Sequence, residues 1–353
     1  MIKKFLDFVQ NIKKEDLIAI LYHTDADGVC SSVITAKSLE LLGIKPVFVF
    51  TQGAGNITIT EKTIKQLAKK NITKVIILDL AVDSDPKPIK KIEEFAELLV
   101  VDHHIISNDL NSKRTIMIKS QNISNIDPSQ YCASKLIYDL FLQIKDISAF
   151  NWISAIGIIG DFGIKTWKSF LDSVAQSNPE KLKILFEAEE LVTYAHMCDG
   201  EKGIEKAYQS LYSAKNPDDV VENLKEYGAV RTEIGYFVEN SEKLGEFRES
   251  IGLFYYEITP KYNIKSKVSN ILSTKKYAGN TVIVVQLDKK KATISARNQA
   301  GKMSMDALMR ECTKGLKEAN GGGHVPAAGG AIRREDVVAF KEKIADYLLK
   351  HIT

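Results

Sequence analysis

The stretch that decides the fold is LIAILYHTDADG, which occupies residues 17–28. Its first six residues form a continuous apolar run, and such a run is typical of a strand that is covered on both faces. The next six residues contain His23, Asp25 and Asp27. Polar groups at this density are common on exposed turns, but these follow directly on a buried strand. The stretch therefore predicts either an acidic turn or a set of metal ligands at a strand end.

The alternation of strand and helix continues to residue 104. Apolar runs predict further strands at PVFVF (46–50), KVIILD (74–79) and LLVVDHH (98–104), and the segments between them predict helices at 31–43, 60–70 and 86–97. Buried strands that alternate with helices predict a parallel sheet covered by helices. Ligands bind beyond the carboxyl ends of the strands in such sheets. Three of the predicted strands end in aspartate or histidine, which favours a ligand site at that edge.

Composition and length exclude several classes of protein. The 353 residues suit two domains of ordinary size, and 44% hydrophobic with 26% charged residues is typical of a globular enzyme. No apolar run reaches the roughly 18 residues of a membrane helix, and the N-terminal residues lack the apolar core of a signal peptide. The four cysteines are widely spaced, which disfavours a disulfide framework. We expect a cytoplasmic enzyme without a membrane segment.

The net charge of +3 conceals two parts of opposite sign. From residue 251 onward there are 18 Lys and Arg against 9 Asp and Glu, whereas residues 1–250 carry 30 against 36. An acidic part could hold cations, and a basic part could hold an anionic substrate. Solvated surface lysines explain the same numbers, so charge alone leaves both interpretations open.

The second half of the chain predicts a change of architecture. Residues 166–248 have helical, polar patterns, and a strand-rich pattern then begins with strands at 251–259, 281–287 and 291–298 and helices at 303–319 and 335–350. We therefore predict an α/β protein in which a parallel, helix-covered sheet is joined by a helical connector to a smaller α/β domain. The predicted bounds are 1–190, 191–250 and 251–353.

The strand-end residues have the chemistry of a divalent metal site. Oxygen ligands with one or two imidazoles suit Mn²⁺ or Mg²⁺ ahead of zinc. In an extended segment His23 and Asp25 point to the same side, and Asp27 then enters a helix, where Gly28 permits a tight turn. Clustered carboxylates also need cations, because their mutual repulsion is otherwise costly.

The sequence contains four motifs in an order that resembles the DHH phosphoesterases: HTDADG (23–28), ILD (77–79), DHH (102–104) and GDFG (160–163). This family includes RecJ exonucleases, oligoribonucleases and cyclic-dinucleotide phosphodiesterases. The segments ISARN (294–298) and GGGHVPAAGG (321–330) are similar to the DHHA1 substrate-binding module that accompanies the DHH domain. The resemblance covers roughly residues 15–163 and 251–353.

The resemblance implies a two-metal centre with two Mn²⁺ ions, or Mg²⁺ as the alternative. It assigns His23 and Asp25 to one ion. It assigns Asp27, His103 and Asp161 to the other, with Asp79 as the bridge between the two.

The resemblance also implies catalytic roles for Asp79, His103 and His104. It places His104 beside the ligands or on the substrate phosphate, with Asp102 supporting the histidines. Asp83 and Asp85 are nearby alternatives to Asp79, but they lie beyond the predicted strand, and we prefer Asp79.

The GGGH run has two interpretations. It could be a flexible turn, or its backbone N–H groups could approach an anion closely. The resemblance favours the second, with Gly322, Gly323 and His324 binding the substrate. Ser295 and Arg297 point to one face of a predicted strand, and arginine suits two-point binding of a phosphate.

These features predict a manganese-dependent phosphodiesterase that removes nucleotides from short single-stranded RNA or DNA through a hydroxide activated by two metals. One alternative is the hydrolysis of cyclic dinucleotides or 3′-phosphorylated nucleotides. Another is a catalytically inactive DHH-derived scaffold of a replication complex, which the full set of expected ligands disfavours. The expected partner is a short nucleic acid or small nucleotide, and a homodimer is one option for the oligomeric state.

Overall fold

The computed structural model describes residues 1–53 and 58–351. The chain divides into two units, Met1–Tyr227 and Gly228–Thr353, so that the predicted connector is shared between them. Within the described ranges, no helix combines the length and the apolar composition that crossing a membrane requires.

The apolar runs of the first unit form a parallel sheet, which confirms the predicted fold class. Among the described residues the strands lie in the order β2-β1-β3-β4-β5, and all neighbours are parallel. The strands are β1 (Ile18–Tyr22), β2 (Phe48–Phe50), β3 (Lys74–Leu78), β4 (Glu97–Asp102) and β5 (Thr115–Lys119). Strand β5 lies outside the predicted elements, although its apolar residues between polar segments are a strand signal.

Helices cover both faces of this sheet. The helices of the first unit are α1 (Ile2–Gln10), α2 (Ala26–Leu41), α3 (Glu61–Lys69), α4 (Pro86–Glu93), α5 (Ala133–Leu142), α6 (Asn151–Gly160), α7 (Lys168–Val174), α8 (Pro179–Asp199), α9 (Glu201–Ser213) and α10 (Pro217–Leu224). Apolar residues of α3 and α4 pack in one hydrophobic core with Ala19 and Leu21 of β1. Helix α2 packs on β1 and α5 packs on β4. Strands β1 and β3 are fully buried, and β4 is buried after its first residue, as their continuous apolar composition predicts.

The second unit is a mixed sheet with helices. Its described strands lie in the order β10-β11-β9-β8-β7-β6, where β7 and β8 are parallel and the other neighbours antiparallel. The elements are α11 (Ala229–Glu239), α12 (Ser241–Leu244), β6 (Glu246–Arg248), β7 (Leu253–Ile258), α13 (Lys265–Ile271), β8 (Thr281–Leu287), β9 (Lys291–Arg297), α14 (Met305–Thr313), β10 (Asn320–Gly323), β11 (Ala327–Arg333) and α15 (Val337–His351). The strands predicted from 251 onward are present as β7, β8 and β9.

The glycine run forms a strand, where the sequence predicts a loop. It is β10, and Gly321 pairs with Gly330 of β11 across an antiparallel ladder. A Cβ at Gly321 would lie 2.6 Å from the carbonyl oxygen of Met309, and one at Gly330 would lie 2.5 Å from that of Asn320. Glycine is needed at both positions because other backbone approaches too closely.

Candidate metal centre

The strands that carry the predicted ligands are neighbours in the sheet, so their carboxyl ends meet. The first group joins the ends of β1 and β3. His23 Nδ1 lies 2.9 Å from Asp25 Oδ2 and 3.5 Å from Asp79 Oδ2. The ligand atoms of these three residues all lie within 4.8 Å of one another, a spacing that one metal ion could occupy.

The second group lies beside the first and contains Asp27, His103 and Asp161, with the same mutual spacing. His103 Nε2 is 3.4 Å from Asp79 Oδ1, so Asp79 faces both groups. His103 Nδ1 lies 3.0 Å from the carbonyl oxygen of Pro128, which can only accept a hydrogen bond. This contact favours a proton on Nδ1 and leaves Nε2 free to bind a metal, as is usual for a metal-binding histidine.

Helix α2 begins earlier than predicted and thereby shapes the HTDADG segment. The predicted start is residue 31, but the helix begins at Ala26, because the Asp25 side chain caps it by accepting a hydrogen bond from the Gly28 N–H (2.9 Å). Gly28 lies inside the helix rather than in a tight turn. A Cβ at Gly28 would be 2.3 Å from the carbonyl oxygen of His23, so glycine lets the helix approach the end of β1.

Asp27 is held by the first turn of α5. Its two carboxylate oxygens accept hydrogen bonds from the backbone N–H groups of Ala133 (2.7 Å) and Ser134 (2.9 Å). A helix N-terminus favours a negative charge. Each oxygen keeps a second lone pair that could bind a metal.

Asp79 has features that a purely structural aspartate would not need. It is 1% exposed and adopts φ +57°, which is uncommon for a residue other than glycine. Among the described residues, its buried Oδ2 atom and that of Asp161 accept no hydrogen bond. Buried oxygen atoms without a donor are costly, and a bound cation would remove that cost. The donor set therefore fits divalent metal ions.

The electrostatics of the two groups support the same conclusion. Burial and the charge of Asp79 raise the pKa of Asp27 to about 7, and burial and the charge of Asp27 raise the pKa of Asp161 to about 9. Burial lowers the pKa of His23, but its contacts with Asp25 and Asp79 outweigh burial and raise that pKa to about 11. Carboxylates this close hold protons or cations, because their charges repel.

The two alternatives to Asp79 lie in other contacts. Asp83 is fully buried and accepts a hydrogen bond from Lys119 Nζ (2.9 Å). Asp85 caps α4 by accepting from the Lys87 N–H (3.2 Å). This placement agrees with the preference for Asp79.

Asp102 and His104 form a third group with Asp79 and His103, in which the ligand atoms again lie within 4.8 Å of one another. His104 Nδ1 donates to Asp102 Oδ1 (2.7 Å), and Asp102 Oδ2 accepts from Lys119 Nζ (2.5 Å). These contacts hold the pKa of Asp102 well below its usual range, although burial opposes the shift. Lys119 is absent from the residues that sequence reasoning selects, because it ends a strand that was not predicted.

The predicted substrate residues of β9 belong to the second unit. Arg297 is half-buried, and its buried Nε atom donates no hydrogen bond within the described part of the chain. Ser295 is 3% exposed, and its hydroxyl bonds to that of Ser269 (2.8 Å). Arg297 therefore has unused hydrogen-bonding capacity, whereas the Ser295 hydroxyl already has a protein partner.

The remaining predicted substrate residues lie at the β10–β11 turn. The His324 side chain is exposed, and the backbone N–H of His324 donates to the carbonyl oxygen of Ala327 (2.8 Å). The Gly323 N–H donates to Asp306 Oδ1 (2.8 Å), and a Cβ at Gly322 would lie 3.3 Å from the guanidinium of Arg310. The roles of Gly322, Gly323 and His324 in substrate binding stay predictions.

The chain belongs to the DHH family. Residues 17–158 match the DHH family, N-terminal domain, and residues 251–350 match the DHHA1 domain. Together these matches cover more than half of the chain and confirm the resemblance seen in the motifs. No curated protein matched the sequence.

Solved structures show the same fold at low sequence identity. RecJ from Thermus thermophilus in complex with Mn²⁺ has a TM-score of 0.71 and 16% identity over 99% of this chain and 55% of that one. An exonuclease RecJ bound to manganese has a TM-score of 0.72 and 15% identity over 99% and 94%. A pGpG-specific phosphodiesterase from Vibrio cholerae has a TM-score of 0.54 and 13% identity over 96% and 100%. The chain thus spans about half the length of the Thermus protein.

Proposed function

We propose that the protein is a metal-dependent phosphodiesterase that hydrolyses short single-stranded RNA or DNA from an end, with Mn²⁺ as the preferred ion. The observation that carries this proposal is the pair of ligand groups at the carboxyl edge of the sheet, with Asp79 within 3.5 Å of His23 in the first group and 3.4 Å of His103 in the second. Two adjacent divalent ions would neutralise charge on a phosphoryl oxygen and lower the pKa of water, so that hydroxide is available at neutral pH.

The residues of the first unit take separate roles in this proposal. His23 and Asp25 hold one ion, Asp27, His103 and Asp161 hold the other, and Asp79 serves both. The Nδ1–H of His104 donates a hydrogen bond to Asp102 Oδ1. Burial lowers the pKa of His104, but its contact with Asp102 outweighs burial and raises that pKa, and in the protonated ring Nε2 is the donor left for the substrate phosphate.

The proposed preference for short substrates is supported by the descriptions of the similar solved structures. Two similar structures are RecJ proteins bound to Mn²⁺, and one of them is called an exonuclease. A third acts on pGpG, which is itself a linear dinucleotide. A nucleotide chain with a free end is the substrate class that the exonuclease and pGpG descriptions share, and pGpG is a short chain of this class.

The test of this proposal is a substrate panel with the wild-type protein and added Mn²⁺. It compares a linear dinucleotide, a five-nucleotide RNA, a longer single strand and a cyclic dinucleotide, each with and without EDTA. We expect metal-dependent hydrolysis that is faster for the short linear substrates. Faster hydrolysis of the cyclic dinucleotide would favour the cyclic-dinucleotide alternative. Failure both to bind Mn²⁺ and to hydrolyse any substrate would favour the inactive scaffold.

Arg297 is the proposed phosphate-binding residue of the second unit. We expect Arg297→Ala to raise KM roughly 10- to 100-fold, since a charge-assisted hydrogen bond contributes about 1.5–3 kcal/mol. Steady-state kinetics with a five-nucleotide RNA would measure the change.

The matched control for Arg297 is Arg333→Ala. Arg333 lies on β11 of the same sheet and already has Asp336 as an ion-pair partner (2.9 Å). Its replacement is expected to leave KM near the wild-type value. Equal KM values for the two variants, or loss of bound Mn²⁺ in Arg297→Ala, would contradict the assignment.

A cytoplasmic location and a homodimer stay predictions. Cell fractionation would test the location, and light scattering coupled to size-exclusion chromatography would test the oligomeric state.

A further inference from the structure

Lys119 is a fully buried lysine at the end of β5, next to the metal centre. In the sheet it pairs in register with Asp102 at the end of β4. Its Nζ donates to Asp83 Oδ1 (2.9 Å) and Asp102 Oδ2 (2.5 Å), and the side chains of all three residues are 0% exposed. Charges removed from water need close partners of opposite sign. The Lys119 ammonium group is therefore ion-paired with two carboxylates, those of Asp83 and Asp102.

Those two carboxylates hold both ends of the loop that carries the histidines. Asp102 Oδ1 accepts from the backbone N–H of His103 (2.8 Å) and from Nδ1 of His104 (2.7 Å). Asp83 Oδ2 accepts from the backbone N–H of Ser107 (2.7 Å). The ammonium between the carboxylates therefore connects the start of the loop to its end.

We propose that Lys119 is a positioning residue for the metal centre. By fixing the carboxylates of Asp83 and Asp102 in place, it holds loop 103–108 and orients the rings of His103 and His104. The assignment rests on the proposed function in so far as these histidines serve metal and substrate. Lys119 itself acts only through the two carboxylates.

The chemistry explains why a lysine is needed at this position. An apolar side chain of similar size would leave two buried carboxylates facing each other without a cation. Their repulsion would move the Asp102 carboxylate, and with it the Oδ1 atom that accepts from Nδ1 of His104. The imidazole would lose the partner that sets which ring nitrogen is free.

Lys74 provides a matched control at the opposite end of the same sheet. It begins β3 and is 5% exposed. Its Nζ lies 2.5 Å from Glu97 Oε2 and 3.8 Å from Asp16 Oδ2. Lys74 is thus also a buried lysine with two carboxylate partners, but it is at the amino edge of the sheet, away from the ligands.

The experiment compares Lys119→Met with Lys74→Met in the full chain. Electron paramagnetic resonance of Mn²⁺ measures its dissociation constant, and NMR of ¹⁵N-histidine protein without metal follows the bonded Nδ1 proton of His104. We expect Lys119→Met to weaken Mn²⁺ binding roughly 10- to 100-fold, as for other residues that support metal ligands, and to shift that proton signal upfield or abolish it. Lys74→Met is expected to leave both unchanged. A folded Lys119→Met protein with wild-type affinity and signal would overturn the proposal.

Asp83→Asn keeps the test decisive if Lys119→Met does not fold. It retains the lysine and a side chain of the same size but removes one of the two negative charges. We expect a weakening of Mn²⁺ binding of about tenfold, at the lower end of the same range, and wild-type values would overturn the proposal. Neither readout requires a substrate. If Mn²⁺ binding and the His104 signal change as expected but the wild-type protein hydrolyses no RNA, the result contradicts the proposed function and not the role of Lys119.

Discussion

Replacement of Asp79 by asparagine is expected to lower kcat/KM by about 10³-fold, because loss of the shared ligand removes about 4 kcal/mol of charge stabilisation by the metals. The two oxygens of Asp79 lie 3.5 Å from His23 Nδ1 and 3.4 Å from His103 Nε2. No other described residue belongs to ligand groups with both histidines. Loss of its charge therefore affects both ion positions, and Mn²⁺ stoichiometry should fall together with activity.

Asparagine is the appropriate replacement at position 79. The backbone there has φ +57°, which asparagine tolerates better than alanine. Asp85→Asn is the matched control, since Asp85 lies in the following turn and caps α4. A folded Asp79→Asn protein that keeps wild-type turnover would refute the two-metal assignment. A comparable loss of activity in Asp85→Asn would show that Asp79 is not the specific ligand.

Removal of the metal is expected to destabilise the protein strongly. A ligand at 100 times its Kd stabilises the folded state by about 2.7 kcal/mol. For a unit of this size that corresponds to a rise in Tm of roughly 5–10 °C. Differential scanning calorimetry of protein treated with EDTA, with and without returned Mn²⁺, measures the difference.

The effect of metal removal depends on pH with a definite sign. Without metal, Asp27 and Asp161 keep protons up to about pH 7 and 9, whereas the usual pKa of an aspartate is 3.8. His23 and His103, whose pKa values rise from 6.5 to about 11, also bind more protons in the folded state. The free energy of unfolding of the metal-free protein therefore falls as the pH rises from 6 to 9. Metal ions replace these protons, so the gain in Tm from Mn²⁺ should widen over that range.

The control for the metal effect is the Asp79→Asn protein. It should show a much smaller rise in Tm with Mn²⁺ and a weaker dependence of that rise on pH. An identical Tm with and without Mn²⁺ in the wild-type protein would contradict the metal centre.

Local patterns predicted the sheet because a strand that is buried on both faces has apolar residues at successive positions. The apolar runs at 17–22, 74–79 and 98–104 correspond to β1, β3 and β4. Once those strands are parallel, the residues that follow them must meet at one edge. For this reason His23, Asp79 and His103 could be grouped before any distance was known.

The segments that sequence reasoning described wrongly are those in which side chain and backbone interact at short range. The HTDADG segment enters its helix earlier than predicted because Asp25 acts as the cap. The glycine run is a strand because Gly321 fits against α14 and pairs with β11. In both cases a specific contact decided the backbone, and periodicity contains no information about such contacts.

The sequence by itself therefore determined the class of fold, the two-domain organisation and the grouping of carboxylates and histidines at one edge, since each depends on local burial and on the geometry of parallel strands. Only the tertiary structure decided how those groups are held. Lys119 meets partners 36 and 17 residues away in the chain, and the φ of +57° places the Asp79 carboxylate between two histidines. Contacts of this kind depend on strand order and register, which no local pattern specifies.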